Sequence, residues 1–182
     1  AGNDHNIVDT VRGRTKYLVA DTNGAEQTEA GNGSTVGRVS SFTNSGFNLG
    51  ATTIDHTWNK DGDKYATWSF RKKEGFFDVV TYTGNGVAGR EIAHSLGSVP
   101  GLIMVKNLSN TYEWAVYHRS LGGTKNLQLS TTSAVITSQY FWNNTNPTAT
   151  HFTTGLSTDT NKNGDNFVAY VFAGGESTAA TA

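Results

Sequence analysis

The chain repeats itself, and a repeated chain must be built from copies, or halves, of one folding unit. Gly13, Thr15, Lys16, Leu18, Thr22 and Ala25 recur in order as Gly122, Thr124, Lys125, Leu127, Thr131 and Ala134. Asn59, Lys60, Gly62, Asp63 and Phe70 recur as Asn161, Lys162, Gly164, Asp165 and Phe172, with Tyr65 and Trp68 becoming Phe167 and Tyr170. Phe47 and Gly50 recur as Phe152 and Gly155. The copies are unequal. The second runs from Phe76 to Ala173, whereas the first has no counterpart of Phe76 through Tyr112. Three readings stay open: a fragment of a longer array, a middle block that serves two half-units, or strands supplied by a neighbouring chain. Since an unfinished sheet exposes backbone donors and acceptors, all three point to assembly. The expected layout is an incomplete first β module over residues 1–75, a complete second module over 76–173 and a flexible tail over 174–182.

Strand signals dominate the pattern. Tyr65 to Phe70 alternates, with Ala66, Trp68 and Phe70 on one face and Tyr65, Thr67 and Ser69 on the other. Its counterpart, Phe167 to Phe172, is apolar on both faces and predicts a strand buried on both sides or at an interface. Further strands are expected at Thr15–Ala20, Arg38–Phe42, Phe76–Thr83, Leu102–Lys106, Glu113–His118 and Asn126–Leu129. The turns between them have the chemistry of tight hairpins: Asn32-Gly33, Asp61-Gly62, Asn85-Gly86, Gly122-Gly123 and Asn163-Gly164. Only Thr131 to Phe141 offers a short helix. With 21 glycines and 2 prolines, the expectation is an all-β fold of antiparallel β-sandwich, jelly-roll-like modules in a tandem pseudo-repeat.

Composition excludes several classes. There is no cysteine, so disulfides and thiolate chemistry are out. The net charge of −1, without basic or acidic blocks, argues against nucleic acid and anionic membrane as partners. No apolar run is long enough to span a bilayer.

Several constellations invite a chemical reading. Asp159-x-Asn161-x-Asn163-Gly164-Asp165 resembles the first half of a calcium loop, but Tyr170 stands where the closing acid belongs and Thr57 replaces Asp159 in the first copy. A turn between two strands accounts for it without metal. His5, His56, His94, His118 and His151 have no zinc spacing. His118, Ser120, Asp78 and Glu113 could be drawn as a hydrolytic site, yet no nucleophile elbow fixes them, so no catalytic residue, metal or cofactor is expected. The better binding signal is aromatic. Tyr140 and Trp142 run into Asn143 and Asn144, and Tyr112 and Trp114 follow another Asn-rich turn. Aromatic faces beside amides suit sugar rings, but the same tryptophans equally suit a core.

The ordered segments Phe77 to Gly86 (FDVVTYTGNG), His94 to Pro100 (HSLGSVP), Ile103 to Asn107 (IMVKN), Trp114 to Gly123 (WAVYHRSLGG), Phe141 to Pro147 (FWNNTNP) and Phe167 to Ala173 (FVAYVFA) together resemble a repeat module. That module, of unassigned function, occurs in tail-fibre-like and other virion proteins of bacteriophages, marine and cyanobacterial ones especially. Residues 7–16 resemble the same module from its middle onward. The resemblance implies a non-enzymatic virion structural protein, all-β and multimeric, assembled in the host cytoplasm and exposed on the particle surface. As a tail-fibre or appendage module it would form a homotrimer, contact other virion proteins and bind host-surface carbohydrate. The alternatives are a capsid decoration protein bridging capsid subunits and, further off, a glycan depolymerase.

Overall fold

The computed structural model describes residues 4–28, 38–50 and 58–175. Among them every strand pairing is antiparallel, and helix is limited to two single turns. The fold class is all-β. The Asn32-Gly33 turn, His56, Thr57 and residues 176–182 of the expected tail lie outside the described residues.

The chain divides into two compact units, one made of Ala1–Val19 and Glu26–Phe70, the other of Ala20–Ala25 and Arg71–Ala182. In the first unit, β1 (Asn6–Ile7), β2 (Lys16–Val19) and β3 (Gln27–Thr28) form a three-stranded sheet in that order. A hairpin of β4 (Val39–Thr43) and β5 (Gly46–Leu49) follows. The β1–β2 connection is tied by Asp9. Its Oδ1 accepts the backbone N–H groups of Val11 and Arg12, and its Oδ2 meets Arg12 Nε at 2.6 Å. Arg12 and Lys16 both reach Glu26. Tyr17 packs edge-on against Trp58, and the Arg38 guanidinium lies 4.2 Å from the Tyr17 ring centre.

The second unit is larger. Its strands are β6 (Phe77–Thr83), β7 (Arg90–Ala93), β8 (Pro100–Asn107), β9 (Ala115–His118), β10 (Lys125–Gln128), β11 (Ile136–Thr137), β12 (His151–Thr154) and β13 (Asn166–Ala173). The helical turns are α1 (Gln139–Trp142) and α2 (Thr158–Asn161). Six strands form one sheet in the order β11-β10-β9-β8-β13-β6, and β7 and β12 form a separate ribbon. Expectation and structure agree at β13. With a neighbour on each side, it buries Phe167 through Val171 completely or nearly so.

One face of the sheet carries Ile103, Val105, Ala115, Tyr117, Phe167, Ala169 and Val171. Ile92 and Phe152 of the ribbon and Phe141 and Trp142 of α1 close over it. Phe152 meets both Tyr82 and Trp142 edge-on, and Tyr117 meets Trp142 likewise, a geometry that suits the quadrupoles of aromatic rings. On the other face Tyr170 stacks on Trp114, and Phe172 packs against Phe77 with its ring tilted. The fully buried Lys106 also lies on that face. Its Nζ donates to the backbone carbonyls of Asn23, Asn107 and Tyr112, at 3.1, 3.2 and 2.6 Å. A buried ammonium needs such acceptors, and here they pin residues 20–25 to the second unit. The ribbon was not foreseen, and the expected Thr131–Phe141 helix shrinks to the single turn of α1, because its Thr- and Ser-rich start has no helical preference to offset chain entropy.

Candidate functional site

The repeated stretches fold alike over much of their length. Asn6 lies opposite Val19 and Ile7 opposite Leu18, as Ala115 lies opposite Gln128 and Val116 opposite Leu127. Lys16 and Tyr17 face Thr28 and Gln27, as Lys125 and Asn126 face Thr137 and Ile136. The numbering offset is the same throughout, so β1-β2-β3 repeats the register of β9-β10-β11. Asn59 Nδ2 donates to the Gly50 carbonyl at 3.2 Å, and Asn161 Nδ2 to the Gly155 carbonyl at 3.0 Å. The next turn is also shared. Gly62 and Gly164 both have φ of 81°, a value that favours glycine, and the following Asp63 and Asp165 donate N–H to the Lys60 and Lys162 carbonyls.

After that turn the copies part. Asn166–Ala173 enters the sheet between β8 and β6. Its counterpart, residues 64–71, has no ladder among the described residues and is exposed at every position. Tyr170 is 4% exposed, whereas Trp68 at the same repeat position is 80% exposed. Tyr65 and Phe70 are exposed by 44% and 51%. The expected strand at Tyr65–Phe70 is therefore corrected. Its alternation supplies strand propensity, but among the described residues the first unit shows no counterpart of β6 or β8 beside it, and a strand exists only through its ladder. What remains is a strand-patterned segment with an apolar face of Ala66, Trp68 and Phe70 turned to solvent. Singly exposed apolar residues are ordinary, but an aromatic cluster on extended backbone is a common form of interaction surface.

The residues singled out for sugar binding separate. Trp142 is 1% exposed and Trp114 is fully buried, so neither ring offers a face to a ligand; both are core, which corrects their reading as binding platforms. Tyr140 is exposed, and Tyr112, half-buried, carries the Lys162 ammonium 5.3 Å from its ring centre. Asn143 and Asn144 both take left-handed φ, 52° and 53°. Asn143 caps α1, its N–H donating to the Gln139 carbonyl, and Asn146 Oδ1 accepts the Gly123 N–H. The Asn-rich run is thus turn machinery, a role these side chains fill readily.

The loop that resembled a calcium site directs its oxygens inward to the polypeptide. Asn161 is fully buried; its Oδ1 accepts the Asn85 N–H, and its Nδ2 donates to the Val87 and Gly155 carbonyls. Asp165 accepts from Asn107 and Asn110 at 2.8 Å each, with Lys162 at 3.6 Å. Burial pushes the Asp165 carboxyl up, but these donors together hold it below the usual carboxylate range. The turn at Asn163-Gly164 joins α2 to β13 rather than two strands.

His118, Ser120, Asp78 and Glu113 do not converge. His118 Nδ1 accepts the Ser120 N–H, Glu113 accepts from Ser130 and Asn23, and Asp78 accepts from Ser95 and Lys72. Burial pushes the Asp78 carboxyl up, and Lys72 and Ser95 outweigh it to leave a net lowering.

A model of a domain of unknown function, DUF7483, matches residues 1–179. The chain belongs to the DUF7483 family. No curated protein and no solved structure matches it. The DUF7483 match spans both units and therefore includes the exposed segment at Tyr65–Phe70 as well as the finished sheet. Among the described residues, no group of three or more acidic or imidazole side chains is placed to hold a metal ion. The exposed aromatic segment, which sequence alone presented as an ordinary strand, is the strongest candidate for a functional surface. The signal that could have marked it is the lack of any first-copy counterpart to β6 and β8.

Proposed function

We propose that this DUF7483 chain is a structural module of a bacteriophage virion, part of a tail fibre or other surface appendage, acting through assembly rather than catalysis. Its sandwich-type modules would space the appendage, chains would associate with one another and with other virion proteins, and repeated weak contacts to host-surface carbohydrate would gain from multivalency. The observation that carries this reading is Trp68, 80% exposed on a segment patterned as a strand. Its repeat equivalent sits in the middle of a sheet, and an isolated module gains nothing by leaving such a segment in water. The ordered motifs from Phe77 to Ala173 support the virion assignment, and the absence of cysteine suits assembly in a reducing cytosol. The test has two parts. Light scattering over a range of concentrations should give a mass above that of one chain, and antibody to the chain should label tails or appendages of particles in lysates of the producing cells. A monomer at every concentration would defeat the assembly reading, and label confined to free protein would defeat the virion assignment.

A further inference from the structure

We infer that Asn23 is a self-modifying site: the Gly24 backbone nitrogen attacks the Asn23 side-chain amide, which deamidates and releases the clasp that holds residues 20–25. This reactivity does not depend on the virion reading.

An Asn-Gly pair invites the reaction because glycine has no Cβ to keep its nitrogen away from the preceding side chain. The bond from Gly24 N to Asn23 Cγ forms, and the bond from Cγ to Nδ2 breaks. The proton of the Gly24 N–H passes through solvent to Nδ2, which leaves as ammonia. Water then opens the cyclic imide at either carbonyl and gives aspartate or isoaspartate. Nothing is oxidised or reduced.

The described residues contain the pairs Asn23-Gly24, Asn85-Gly86 and Asn163-Gly164; Asn32-Gly33 lies outside them. All three asparagines are exposed, so access to water does not separate them. The glycine nitrogens do. Gly86 N–H donates to the Asn161 carbonyl at 2.9 Å, and Gly164 N–H donates to the Gly84 carbonyl at 3.0 Å. Either bond must break before the nitrogen can turn onto its own neighbour's side chain. Gly24 N–H donates to no group among the described residues, and the pair lies on irregular backbone between β2 and β3. The Asn23 side chain is held at its leaving nitrogen, not at the carbon attacked: Nδ2 donates to Glu113 Oε1 at 2.9 Å.

The consequence follows from what Asn23 holds. Its carbonyl is one of the three acceptors of the buried Lys106 ammonium, and its amide ties it to Glu113. Aspartate at this position replaces a donor by a second carboxylate facing Glu113, and like charges so placed repel. Isoaspartate also adds a methylene to the main chain and draws the carbonyl off Lys106, leaving a buried ammonium short of an acceptor. Residues 20–25 belong to the second unit, and both products loosen them from it.

The test incubates the full chain in mildly alkaline buffer, with and without urea, and follows each pair by proteolysis and tandem mass spectrometry. In the folded chain Asn23 should convert about tenfold faster than Asn85 or Asn163, the factor imposed by first breaking a backbone hydrogen bond. In urea, with those bonds gone, the three rates should agree within about twofold. Equal rates in the folded chain, or an undiminished lead for Asn23 in urea, would overturn the assignment. Hydrogen exchange on Asn23→Asp reads the release. Amides of residues 20–25 should exchange about tenfold faster than in wild type, while β13 keeps its protection and so reports that the variant is folded. Exchange at 20–25 unchanged from wild type would overturn the claim that deamidation opens the clasp.

Discussion

Asn161→Ala removes the side chain that closes the loops around α2. The wild-type amide makes three hydrogen bonds: Nδ2 to the Val87 carbonyl at 2.9 Å, Nδ2 to the Gly155 carbonyl at 3.0 Å, and Oδ1 from the Asn85 N–H at 3.0 Å. The Gly155 bond is fully buried and the other two partly so. Alanine makes none of them. A buried carbonyl left without a donor costs about 1–3 kcal/mol, and each part-exposed bond contributes about 1 kcal/mol net. The expected loss is therefore about 3–5 kcal/mol, a large share of the stability of a domain. Urea unfolding followed by tryptophan fluorescence reads both units, through the buried Trp114 and Trp142 in the second and through Trp58 and Trp68 in the first. With a slope of about 2 kcal/mol per M, the midpoint should fall by about 1.5–2.5 M with the slope unchanged. The internal control is Asn59→Ala. Asn59 occupies the same repeat position but is exposed and, among the described residues, makes the bond to Gly50 alone, so its loss should cost under about 1 kcal/mol. Equal effects at the two positions, or a loss at Asn161 below about 1 kcal/mol, would refute the claim that burial of this amide organises the loop.

Two further perturbations separate core from surface and test the buried amine. Trp142→Ala should lower stability by about 3–5 kcal/mol, as large-to-small core changes do, whereas Tyr140→Ala should leave the unfolding curve in place; loss of glycan binding in Tyr140→Ala alone would mark that ring as a contact. Burial pulls the Lys106 amine down to about 8, against the opposing charges of Asp159 and Glu113. Between about 8 and the ordinary 10.5 the unfolded chain therefore binds more protons at this site. Stability should rise with pH across that window, and the penalty is present in full below it. The rise should vanish in Lys106→Met, measured as the difference between the two unfolding midpoints from pH 7 to 10.

The legible part of this fold was the part whose pattern is independent of its neighbours. The two-faced apolar run at Phe167–Phe172 could be satisfied only inside a sheet, and β13 lies there. The Asn-Gly and Asp-Gly pairs marked Gly62, Gly86 and Gly164, all of which take left-handed φ. The ribbon strands Arg90–Ala93 and His151–Thr154 were opaque, being short and half polar and acquiring their ladder only from each other. Trp142 and Trp114 were ambiguous because aromatic composition does not distinguish a ring that stacks on sugar from one that packs against Tyr117 or Tyr170. The oxygen-rich spacing around Asn161 misled for a related reason. Spacing does not reveal whether an amide turns out towards an ion or in towards backbone, and here it turns in. Tyr65–Phe70 shows the converse limit: alternation specifies what a segment is ready to do, while its partners decide whether it does so.

The position of β13 also dictates an order of events during synthesis. It is the last of the six sheet strands to be made, yet it lies between β8 and β6. Until it emerges, β6 and β8 have no common neighbour, and the faces it covers stay open. The local meanders can form as they appear, but closing the sheet requires a long-range contact between residues near Phe77 and residues near Phe172. Such contacts form slowly. The sheet of the second unit therefore cannot close until β13 has emerged, and a nascent chain stalled before residue 166 would present two unpaired edges to every other chain in the cell.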